Sequence, residues 1–104
     1  MNNATRKTLI NYTDTLRALR DRLDDLRSEY ETVKDEIQSL ADEEQEKYDN
    51  MPEGLQNSER GQAVQDAANT LESAVSELES AISELESAVD SISSAVGEIE
   101  TAAS

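Results

Sequence analysis

LESAVSE (residues 71–77), LESAISE (78–84) and LESAVDS (85–91) are three successive copies of one seven-residue unit. Within it Leu recurs at Leu71, Leu78 and Leu85, and a β-branched residue follows four places on at Val75, Ile82 and Val89. Apolar residues spaced alternately by three and four mark a helix that buries one narrow stripe against another helix. The phase extends outward in both directions, from Val64 and Ala68 to Ile92, Val96 and Ile99. With the β-branched residues at position a and Leu or Ile at d, position g is Ala at Ala67, Ala74, Ala81, Ala88, Ala95 and Ala102. A disordered low-complexity tract has no reason to keep this phase, so the repeat predicts a helix over about residues 59–102.

The same spacing occupies the first half of the chain. Leu9, Tyr12, Leu16, Leu19, Leu23, Leu26, Tyr30, Val33, Ile37 and Leu40 alternate between a and d, and the pattern stops at Glu44 and Lys47. This predicts a helix over about 4–48. Between the two series, residues 49–58 contain Pro52 and Gly54, which interrupt helices, and Asn57 and Ser58, either of which can cap the next one. Two helices of similar length joined by a short break should fold back as an antiparallel coiled-coil hairpin, all-α and a single unit over 1–104.

Pivoting the chain at Gly54 sets Leu9 against Ile99, Leu23 against Leu85 and Leu40 against Ala68, with no charge in any layer. The e positions then pair Arg6 with Glu100, Arg20 with Glu86, Arg27 with Glu79 and Lys34 with Glu72. Such exposed pairs contribute only about 0.2–1 kcal/mol each, so they select register more than they stabilise. On the opposite flank the Ala row lets another helix approach closely. A two-helix core is thin for its length, and dimerisation along Ala67, Ala74, Ala81, Ala88 and Ala95 into a four-helix bundle is expected. The alternative is that Ala serves helix propensity alone.

Composition narrows function. The chain carries 24 acidic and 9 basic residues, a formal charge of −15, and has no His, Cys, Phe or Trp. That charge disfavours direct binding to nucleic acid or anionic membrane and favours a protein partner with a basic surface. Without Cys or His the usual thiolate and imidazole ligands and the neutral-pH general base are missing. The Ser row at Ser73, Ser80, Ser87 and Ser94 has no activating base near it in sequence. The expectation is a protein that is not an enzyme and needs no metal or cofactor. No apolar run is long enough to cross a bilayer and no signal-peptide core is evident, so a cytoplasmic location is expected.

Residues 61–104 hold nine acids and no base. After the e-flank pairs are assigned, Glu77, Glu84, Asp90 and Glu98 stay free, together with an acidic turn comprising Asp42, Glu43, Glu44, Glu46 and Glu53. These are the candidate partner-binding residues. The bland reading is that they keep a helical protein soluble.

The stretch from Tyr48 through Pro52, Gly54 and Ser58 to Gly61, followed by the acidic Ala/Leu/Glu repeat, resembles small acidic helical proteins of phages and prophages of Gram-positive bacteria. The likeness covers about half the chain. It implies a helical hairpin acting in a host cytoplasm, and by analogy with acidic phage inhibitors of restriction and CRISPR nucleases, a nucleic-acid mimic that blocks a host enzyme. It carries over no site residues. The other functional class left open is a structural coiled-coil spacer or scaffold that works by self-association.

Overall fold

A computed structural model describes all of residues 1–104. The chain is all-α: α1 spans Asn3–Asp49, α2 is a single turn over Glu53–Gln56, and α3 spans Glu59–Ala103. Two long helices packed against each other make a helical hairpin, as the heptads predict. Asn2 caps α1, its Oδ1 accepting from the Thr5 amide at 2.8 Å. Pro52, extended at φ −55° and ψ 146°, ends the first run and leads into α2. Ser58 caps α3: its Oγ accepts from the Gly61 amide at 3.2 Å and donates to the Leu55 carbonyl at 2.5 Å.

Packing gathers the chain into two compact units. The first joins Met1–Glu29 to Ile82–Ser104. Here Arg17 reaches Glu100 and the Arg20 Nη1 reaches Ser93 Oγ at 3.4 Å, so the two segments run antiparallel. Thr13, Ile82, Val96 and Ala103 are buried. The second unit is Tyr30–Ala81. In it Gln38 donates to Glu72 at 2.8 Å, and Ala41, Ala68 and Val75 form the buried apolar set.

The expected e-flank pairs do not form. Glu72 meets Gln38 rather than Lys34, Arg20 meets Ser93 rather than Glu86, and Glu100 meets Arg17 rather than Arg6. Lys34 instead bonds Asp35 at 2.9 Å and feels the charge of Glu79. Expected partners are thus displaced by four to eleven residues. A displacement that differs from pair to pair is the reach of long side chains past the residue opposite, and the connection departs from expectation separately. A simple reversal at Gly54 ignores α2, whose helical turn contains Gly54 and carries the reversal toward Gln56. Gln56 is held there, its side chain donating to the Tyr48 carbonyl at 2.9 Å while its own carbonyl accepts from Gln62 at 3.1 Å. Gly54 itself has open space around it, whereas a Cβ on Gly61 would lie 2.6 Å from the Gln56 carbonyl oxygen. Gly61 is the glycine this turn requires.

Candidate functional site

On α3 the heptad reads as expected. Position a is the deepest row, with Ala68, Val75, Ile82, Val96 and Ala103 buried, and the d residues Leu71, Leu78, Leu85, Ile92 and Ile99 are half-buried beside it. The Ala row divides: Ala74, Ala81 and Ala88 are half-buried, while Ala67, Ala95 and Ala102 are exposed.

On α1 the expected seam is corrected. Leu9, Leu16, Leu23 and Ile37 at a are half-buried, but Tyr30 at a is 45% exposed and every d residue faces outward: Tyr12, Leu19, Leu26, Val33 and Leu40 are 43–60% exposed. Their place is taken by the e row. Thr13 and Ala41 are fully buried, and the Arg20, Arg27 and Lys34 side chains retain only 21–27% of their exposure. Two physical features turn α1 this way. Small residues at Thr13 and Ala41 let the backbones approach, and the Thr13 hydroxyl is satisfied locally by donating to the Ile10 carbonyl at 2.7 Å. The long basic side chains lay their methylene stems over apolar surface while their heads stay wet. The Lys34 pKa is raised, first by its hydrogen bond to Asp35 and further by the charges of Asp35, Glu79 and Glu31, against a lowering from desolvation.

The outward turn opens apolar grooves. In the first unit a groove of about 360 Å³ is lined by Leu19, Arg22, Leu23, Leu26 and Ile92. In the second, one of about 620 Å³ is lined by Leu40, Glu44, Ala67, Thr70 and Leu71. These grooves adjoin the flank on which the Ala row was expected to associate; α1 supplies most of the apolar lining of the first, through Leu19, Leu23 and Leu26, and α3 most of the second, through Ala67 and Leu71. The sequence had marked Tyr12, Leu19, Leu26, Tyr30, Val33 and Leu40 as core; the signal for the alternative was the small Thr13 and Ala41 at e.

The acidic candidates are dispersed. Glu77, Glu84, Asp90 and Glu98 are exposed and form no ion pair. The expected acidic turn is mostly helix: Asp42, Glu43, Glu44 and Glu46 lie near the end of α1 and Glu53 opens α2; Glu43, Glu46 and Glu53 are exposed, Asp42 accepts from Gln38 at 3.0 Å, and Glu44 binds Lys47 at 2.8 Å. The hydrogen bond from Lys47 to Glu44 is the main cause of a raised Lys47 pKa. No three acidic, His or Cys side chains converge as a metal-holding group. No helix is long and apolar enough to cross a membrane. Comparison with known protein families, curated proteins and solved structures finds no match to this chain.

Proposed function

We propose that the chain is a non-catalytic interaction module whose working surface is the outward apolar row of α1, onto which another helix docks. The observation that carries this reading is the exposure of Tyr12, Leu19, Leu26, Val33 and Leu40 at strict seven-residue intervals on one helix. Apolar side chains scattered over a surface need no explanation, but a periodic row beside apolar grooves marks an interaction face. The spacing suits a helical partner, because only a second helix presents side chains at the matching period.

A second reading rests on the unpaired carboxylates Glu77, Glu84, Asp90 and Glu98 of α3. It is docking on a basic protein surface, in the sharpest form as a nucleic-acid mimic that inhibits a host enzyme in the cytoplasm. The two readings separate in one experiment. A photo-crosslinking residue at position 26 or 84 is activated in cells, in the background of L19S/V33S or of Lys substitutions at Glu77, Glu84, Asp90 and Glu98. Helix docking predicts adducts from position 26 that vanish with L19S/V33S and survive the charge reversals. Adducts only from position 84, abolished by the reversals alone, would overturn it in favour of the acidic face.

A further inference from the structure

We infer that, within the unit joining Met1–Glu29 to Ile82–Ser104, α1 has a second, less populated seat on α3, reached by turning about its own axis, and that Glu100 exchanges Arg17 for Arg6 between the two seats. In the observed seat the a and e rows of this segment face inward, and Tyr12, Leu19 and Leu26 at d face out. In the second seat the a row stays, the d row comes in and the e row moves to the flank. At 3.6 residues per turn the two inward faces are centred about 50° apart, so Leu9, Leu16 and Leu23 remain against α3 throughout. Interlocking side chains give two discrete arrangements rather than a continuum between them.

The observed seat is held by small, buried Thr13, by Arg20 and Arg27 stems laid inward with their heads on Asp21 and Asp24, and by Arg17 on Glu100. It leaves two defects. The Arg6 Nε is buried with no hydrogen-bond partner, which costs the hydration that group would have in water. The large apolar side chains of Tyr12, Leu19 and Leu26 stay exposed beside an α3 stripe that could cover them.

Turning α1 removes both defects. The d row closes on α3, and Arg6 swings to the flank, where Glu100 stands across from it. Arg17, at position b beyond the e row, swings out of reach and gives Glu100 up. Arg20 comes to face Glu86, which is exposed and forms no ion pair in the observed seat. What the turn gives up is the burial of Thr13 and the Arg17–Glu100 contact. Each seat satisfies groups that the other leaves open, as a bistable element requires. The second seat stands on this packing alone, and where a helix docks on the outward row it withdraws that row.

Disulfide trapping in the full chain tests the proposal, because the chain has no cysteine of its own. Val96, on the buried a row of α3, is the common partner. T13C/V96C reports the observed seat and Y12C/V96C the second; D14C/V96C, with exposed position 14, sets the background. Circular dichroism shows that each variant is helical, and the rate of intramolecular disulfide closure is followed by mass spectrometry. Y12C/V96C should close more slowly than T13C/V96C and faster than D14C/V96C. Added to Y12C/V96C, R17A should raise closure and R6A should lower it, each by up to about fivefold, the range for one exposed ion pair. Closure of Y12C/V96C no faster than D14C/V96C overturns the second seat. Shifts of the same sign with R17A and R6A, or none, overturn the exchange at Glu100. A T13C/V96C pair that fails to close overturns the inward e row from which both seats are built.

Discussion

The two long helices carry the same heptad and use it differently. On α3 the a row is buried and the d row flanks it, as the periodicity predicts. On α1 the helix is turned so that e and, apart from Tyr30, a face inward and d faces out. The contrast lies in what stands beside the apolar rows. Around the α3 stripe are Ser and acidic residues with short or charged side chains, and one orientation alone hides its Val, Ile and Leu. Beside the α1 stripe stand Thr13, Ala41 and a ladder of Arg and Lys. Small residues permit close approach there, and long basic stems can be covered while their charges reach toward an acidic neighbour. A periodic pattern therefore locates a helix more firmly than it locates the face that helix buries.

The largest effect that could break this contrast is a cavity. Ile82→Ala on α3 should cost about 2–5 kcal/mol, the range for truncating a buried aliphatic side chain. Leu19→Ala on α1, measured at concentrations too low for association, should stay within about 0.5 kcal/mol, as for a surface site. Urea unfolding of both variants checks this. Equal losses would mean that Leu19 is buried within the hairpin, and the distinction between the helices would fall.

The second test sharpens how the connection packs against the start of α3. Gly61→Ala forces a methyl group against the Gln56 carbonyl and should lower stability by about 1–3 kcal/mol, as overpacking does. Gly54→Ala meets open space inside a helical turn and should be neutral or stabilising by up to about 1 kcal/mol. Thermal melting of the pair distinguishes them. A harmless Gly61→Ala would show that the close α2–α3 contact does not set the reversal.

The smallest effect concerns the basic residues of α1. Lys34 and Lys47 have folded-state pKa values raised above 10.5, chiefly through hydrogen bonds to Asp35 and Glu44. A raised lysine contributes stability that is fully present below its unfolded value and is lost as pH rises through the folded one. Both groups are solvated, so the contribution is slight. The melting temperature of K34Q/K47Q should differ from wild type at pH 8 and converge with it above pH 10.5. A constant difference across that range would assign the effect to packing of the stems instead.

Much of this molecule was legible before any coordinates. The Leu71–Ser91 repeat marked α3 and its buried row, and Pro52 with Ser58 bounded the connection. The extra helical turn α2 was not, because Glu53-Gly54-Leu55-Gln56 is too short for any period to show. The expected ion-pair ladder did not form: Arg20, Arg27 and Lys34 pair with Asp21, Asp24 and Asp35 on their own helix, and Glu100 is met by Arg17. Long side chains tolerate an offset that short ones would forbid.

By itself the sequence determined two helices, the break between them, an antiparallel return and an acidic exterior, because each follows from local spacing, backbone chemistry and a count of charges. Only the tertiary structure decided how the connection packs on α3 and which row of α1 is left in water. Both depend on how closely two backbones can approach at Gly61, Thr13 and Ala41, a property of pairs of surfaces that no single helical period encodes.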